Sequence, residues 1–223
     1  MPLVELTNQD IHVNLSIPIR YDEFINESAP NKTALLLHGY GLNKERMFKS
    51  LGMHLTDSVR RLVVLNAPFP LPYQDKDGNY KEGYAWYFKL FQENVTLIPP
   101  ENCEPYFEAL VEKLSLASED VTLIGYSQGG YVMPYLAKKI LKLNQMIGIS
   151  CGVPSQSKEL FESLNPKFNL IHSDFDSLSS VHDAECQFNA LNLDKVTSQF
   201  LKIPGGHEMD SMKIGIVKKL IGT

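Results

Sequence analysis

Val121-Thr122-Leu123-Ile124-Gly125-Tyr126-Ser127-Gln128-Gly129-Gly130 decides how this chain is read: a short apolar run enters Gly-x-Ser-x-Gly, and a helix-like pattern leaves it. Val121 to Gly125 reads as a buried β-strand, and the residues after Gln128 carry apolar side chains at helical spacing. Ser127 then falls on a sharp strand-to-helix turn whose strained backbone lifts its hydroxyl above the strand end. Gly125 and Gly129 are required there, because side chains would collide with the neighbouring strand and helix. The turn also puts Ser127 at a helix N-terminus, where the Gln128 amide has no intrahelical acceptor and can donate to a developing oxyanion.

Working outward, short apolar strand candidates alternate with helix-length segments, which predicts an α/β fold with a mostly parallel central sheet flanked by helices. The strands are expected at Thr33–Leu37, Arg61–Leu65, Val121–Gly125, Met146–Ser150, Phe168–His172 and Gln199–Ile203. The helices are expected near Lys44–Leu55, Glu104–Leu116, Gln128–Leu143, Ser180–Leu191 and His207–Leu220, the third kinked at Pro134. His12 to Ile19 alternates polar with apolar and suits an antiparallel edge strand. One long irregular stretch, from Ala67 to about Asn102, is rich in Pro, Gly and aromatics, including Tyr84, Trp86, Tyr87 and Phe88. A connection that long inside a compact fold is functional or disordered, and its aromatics argue against disorder. With 223 residues, 43% of them hydrophobic, the chain is expected to form a single domain over residues 1–223.

Composition removes several function classes. A formal net charge of -5 and scattered Lys and Arg give no patch for nucleic acid. No apolar run approaches the roughly 18 residues a membrane-spanning helix needs, so no stable membrane insertion is expected. Met1 to Glu5 shows no basic and apolar leader pattern. Cys103, Cys151 and Cys186 are odd in number, widely spaced and without histidines at metal spacing, which fits reduced thiols in a cytoplasmic protein.

A strand–Gly-x-Ser-x-Gly–helix unit is the nucleophile turn of the α/β-hydrolase fold, where chain order runs Ser, then Asp or Glu, then His, each on a loop after a strand. His207 follows the Gln199–Ile203 strand and the Pro204-Gly205-Gly206 turn, and is the expected base. Asp174 and Asp176 both follow the Phe168–His172 strand, and either can hold an imidazole; Asp183 is a weaker candidate. The loop His38-Gly39-Tyr40-Gly41 after the first parallel strand supplies the second oxyanion donor, assigned to the Tyr40 amide, with Gly39 and Gly41 letting backbone approach the substrate. His38 at the strand end is expected to pack and bond to backbone. Trp86 and Tyr87 are expected to shape a substrate pocket or to anchor their loop to the core.

Leu37-His38-Gly39-Tyr40-Gly41, Asn66-Ala67-Pro68 leading to Trp86-Tyr87, Gly125-Tyr126-Ser127-Gln128-Gly129-Gly130 and Pro204-Gly205-Gly206-His207 together resemble the phospholipase/carboxylesterase family of α/β-hydrolases, which includes acyl-protein thioesterases. The resemblance extends from about residue 33 onward, and Gly-x-Ser-Gln-Gly-Gly is its most specific part. It implies an α/β-hydrolase fold with no large lid domain and hydrolysis of short to medium acyl esters or thioesters, of small molecules or acyl-proteins, with no cofactor and with homodimers among its members. The family's His-Gly-x-x-Asp-x-x-Val segment falls on His172 to Ser179, which implies Asp176 as the acid; Ser173 and Ser179 depart from that pattern. The segment from Asn66 to Trp86 is longer than its usual equivalent. Two other readings accompany the hydrolase: a catalytically silent fold that binds ligands, and another triad reaction such as that of a perhydrolase, amidase or C–C hydrolase.

Overall fold

The computed structural model describes residues 17–90, 95–116, 119–153, 157–194 and 197–222. Its centre is a seven-stranded sheet built from β1 (Tyr21–Ile25), β2 (Thr33–Leu37), β3 (Arg61–Leu65), β10 (Val121–Tyr126), β11 (Leu143–Ile149), β12 (Phe168–Ser173) and β13 (Gln199–Ile203). The spatial order is β1-β3-β2-β10-β11-β12-β13. Only β1 runs antiparallel; every other pairing is parallel. The expected edge strand is therefore found at Tyr21–Ile25. Most of His12–Ile19 lies outside the described residues, and Ile17 to Arg20 form no strand, Pro18 among them lacking the amide that a ladder needs.

Period-two alternation along the strands divides the core into two layers. Leu35, Leu37, Val63 and Leu123 face one side, where they pack with α2 (Glu104–Lys113), α3 (Gln128–Ala137), α4 (Lys158–Leu164) and α5 (Val181–Asn189). Ala34, Leu36, Leu62, Val64 and Ile124 face the other side and meet α1 (Lys44–Ser50) and α6 (Ser211–Gly222). Strands buried on both faces explain why β2, β3 and β10 read as continuous apolar runs rather than alternating ones.

All five expected helices are shorter than their patterns suggested, three of them for a visible reason. α1 stops at Ser50 and a 3-10 turn, Gly52–His54, completes the segment. α3 passes through Pro134 but ends at Ala137, because β11 already begins at Leu143. α6 starts at Ser211 rather than at His207, since the Asp210 side chain accepts from the Lys213 amide and caps the helix there. The stretch after Ala67 is not irregular. It forms three small antiparallel pairs: β4 (Phe69–Pro70) with β7 (Tyr84–Ala85), β5 (Tyr73–Gln74) with β6 (Tyr80–Lys81), and β8 (Phe88–Leu90) with β9 (Val95–Ile98). The polar Gln74–Asn79 segment is the tip of the second pair, closed by the Asp75 carboxylate accepting from the Asp77 and Asn79 amides.

β10 and α3 lie so close that side chains are excluded between them. A Cβ on Gly125 would stand 2.5 Å from the Gly130 Cα, and one on Gly129 would strike the Leu37 carbonyl and lie 2.7 Å from the His38 oxygen. Gly129→Ala is accordingly expected to cost about 1–3 kcal/mol of stability as α3 is pushed off β2. An unchanged urea midpoint would show that α3 has room to move.

Candidate active site

Three side chains meet at the carboxyl ends of the parallel strands, where open α/β sheets bind ligands. Ser127 follows β10 with φ 49° and ψ -120°, a strained left-handed conformation for a residue with a side chain. Its amide is tied to the Ile149 carbonyl of β11, which holds the turn in place. His207 follows β13, and its Nε2 lies 3.0 Å from the Ser127 Oγ. The His207 Nδ1–H donates to both Asp176 oxygens, at 2.8 and 2.9 Å, so the neutral ring leaves Nε2 free to accept from the Ser127 hydroxyl.

Asp176 is the carboxylate brought to the histidine. Its side chain is fully buried, and burial alone would raise its pKa. The His207 hydrogen bond and the Leu178 and Ser179 amides, each donating at 2.9 Å, outweigh burial and hold the carboxyl below its usual range. Asp174 instead accepts from the Gly205 amide at 3.2 Å and closes the turn beside the His207 loop. Asp183 lies in the first turn of α5.

The loop carrying His207 is anchored from three directions. The Tyr126 hydroxyl and the Ser150 Oγ donate to the His207 carbonyl at 3.1 and 3.2 Å. Lys213, fully buried on α6, donates its ammonium to the Gly206 and Glu208 carbonyls at 2.7 Å each. A sequence signal for this existed: Lys213, Val217 and Ile221 share the four-residue spacing of the buried stripe of α6.

The Tyr40 and Gln128 backbone N–H groups have no protein acceptor among the described residues. Gln128 also acts through its side chain, which the sequence did not reveal. Its oxygen accepts from the Trp86 amide and its nitrogen donates to the Tyr87 carbonyl, clasping that segment against α3. His38 is fully buried, donating from Nδ1 to the Gly39 carbonyl and accepting at Nε2 from the Ala67 amide. Burial pushes its pKa down to about 4, so it stays neutral and structural.

A cavity of about 460 Å³ opens over Ser127 and His207, walled by Tyr40, Tyr87, Phe88, Tyr131 and Leu178. Trp86 is not on this wall. It is fully buried, donates its Nε1–H to the His38 carbonyl at 2.8 Å and packs against Phe107 and Tyr106. Gly41 is likewise outside the cavity: with φ +69° it makes the turn after Tyr40, and its amide is bonded to the Tyr84 carbonyl. Among the described residues, no group of three or more His, Cys, Asp or Glu side chains is placed to hold a metal ion. No described helix is long and apolar enough to cross a membrane.

A family model described as phospholipase/carboxylesterase matches residues 23–223. The chain belongs to the phospholipase/carboxylesterase family. It is thus a hydrolase of the carboxylesterase type with the α/β-hydrolase fold. Among solved structures, the esterase PE8 superposes with a TM-score of 0.71 at 22% identity, covering 91% of this chain and 97% of the other. Acyl-protein thioesterase 2 from Zea mays gives 0.64 at 17% identity, covering 90% and 96%. The Bacillus cereus carboxylesterase gives 0.66 at 14% identity, covering 91% and 93%. A comparison with curated protein sequences found no match. The likeness to these structures is one of fold.

Because Trp86 is core, Trp86→Ala is expected to lower stability by about 3–5 kcal/mol and leave relative rates on short and longer esters unchanged. An intact melting temperature with an altered chain-length preference would return Trp86 to the cavity wall.

Proposed function

We propose that this protein hydrolyses short to medium acyl esters or thioesters through a Ser127–His207–Asp176 triad. The observation that carries the reading is the unbroken hydrogen-bond chain from Asp176 through His207 to Ser127, ending at the cavity floor. Ser127 Oγ attacks the acyl carbonyl while His207 Nε2 takes its proton, and a new C–O bond forms. Asp176 keeps the imidazole in the required tautomer and stabilises the imidazolium. The Tyr40 and Gln128 amides receive the oxyanion; each such donor is worth about 2.7–4 kcal/mol in related sites. Collapse of the tetrahedral species breaks the bond to the alcohol or thiol, which leaves with the proton held by His207. Water repeats the sequence on the acyl-enzyme and releases the acid. Tyr40, Tyr87 and Phe88 offer the substrate an apolar wall.

A fluorophosphonate probe should label Ser127, and both label and p-nitrophenyl acetate turnover should vanish in Ser127→Ala. Asp176→Asn should lose about 10⁴ in kcat, whereas Asp174→Asn should stay within about tenfold of the parent. Equal losses in the two aspartate variants would reassign the acid, and well-folded protein that neither labels nor turns over ester would sink the hydrolase reading.

A further inference from the structure

The active-site cavity does not end at its apolar wall. A second cavity of about 400 Å³ shares Tyr87, Lys89, Tyr131, Leu178 and Ser179 with it, and continues along Thr96, Ser180, Asp183 and Gln187. Its character differs from that of the first. Polar side chains share its wall with Pro100, Leu178 and Ala184, and Lys89 and Asp183 place one charge of each sign there, so no net field selects an ion.

Ser179, on the wall that the two cavities share, is hydrogen-bonded to His172, and the position of its proton follows from that partner. His172 Nδ1 faces the Ser173 carbonyl at 3.1 Å and must donate to it, which makes Nε2 the acceptor of the neutral ring. Burial lowers the pKa of His172, in keeping with that neutral form. Ser179 Oγ, 3.2 Å from Nε2, therefore donates to His172. The Tyr131 hydroxyl lies near the Ser179 side chain and the Gly152 backbone, and Tyr131 lines both cavities. With its proton committed to His172, Ser179 presents lone pairs to the cavity, and the Tyr131 hydroxyl stands beside it. Across from them, the Gln187 oxygen is held by the Val153 amide at 2.8 Å, and its two N–H donors have no acceptor among the described residues.

We infer that the second cavity is a substrate subsite for an uncharged, hydrogen-bonding tail, of the amide or hydroxyl class, attached to the ester or thioester that Ser127 attacks. Such a tail donates to the Ser179 lone pairs beside Tyr131 and accepts from Gln187. A plain hydrocarbon chain entering the same space desolvates Asp183 and Gln187 without replacing their hydrogen bonds. The inference rests on the esterase reading, and the test separates the two.

Two matched pairs of esters are assayed on the intact protein, with p-nitrophenyl acetate as reference. In the acyl arm, p-nitrophenyl 4-acetamidobutanoate is compared with p-nitrophenyl heptanoate; in the leaving-group arm, 4-acetamidobutyl acetate is compared with heptyl acetate. A preference of about tenfold or more in kcat/KM for the amide member of one pair is expected. The arm that shows it identifies whether the acyl chain or the leaving group occupies the subsite. Tyr131→Phe keeps the ring, and Gln187→Glu keeps the oxygen on Val153 while removing the donors; each should erase most of the preference, chiefly through KM. Acetate turnover with equal or higher kcat/KM for the hydrocarbon member of both pairs overturns the subsite alone, as does a preference untouched by both substitutions. Loss of acetate turnover and of fluorophosphonate labelling in the parent protein overturns the esterase reading itself.

Discussion

The structure depends on how closely α3 approaches the end of β10. Only a chain without side chains at positions 125 and 129 can turn from strand to helix in the space between the Leu37 carbonyl and Gly130. That closeness forces Ser127 into a left-handed backbone conformation and aims its hydroxyl away from the sheet. It also leaves the Gln128 N–H pointing out of the helix start, beside the loop that carries Tyr40. Two glycines thus set the Ser127 turn, and the strain at Ser127 is sustained by the buried sheet on either side of it.

Around this turn, the site is assembled from strand ends and then locked by groups outside the Ser127–His207–Asp176 chain. Tyr126, Ser150 and Lys213 fix the backbone of the His207 loop, the Leu178 and Ser179 amides fix Asp176, and the Gln128 side chain fixes Trp86 and Tyr87. Ser127, His207 and Asp176 are therefore held within hydrogen-bonding distance by the fold itself, the condition for low reorganisation cost in the proposed reaction.

Much of the sheet was legible in the sequence because β2, β3 and β10 are buried on both faces and read as uninterrupted apolar runs. The Gly-x-Ser-x-Gly turn was legible because its residues answer a local steric demand. What could not be read depended on distant neighbours. Asp174 and Asp176 sit two residues apart in a polar loop, and only the path of the 204–210 loop decides which one meets His207. Trp86 looked like a pocket residue because it lies among exposed-type loop residues, yet the indole finds its acceptor in the His38 carbonyl, which is far away in sequence. The hairpins between Ala67 and Pro99 were hidden because strands of two to four residues carry too little periodicity to register. His172, Ser179 and Tyr131 come from three separate elements, and Ser179 meets His172 and stands beside Tyr131 only once the fold has brought them together.

Lys213 has a consequence for how such a protein loses activity on warming. The last helix contributes the charge that grips the carbonyls on both sides of His207, so α6 and the base loop form one cooperative unit. Opening of that unit requires less free energy than melting the sheet, since α6 packs on one face only and the loop has no ladder of its own. Local opening at the carboxyl-terminal side is expected to come first on warming, with amide-exchange protection in β2, β10 and β11 outlasting the proposed ester turnover.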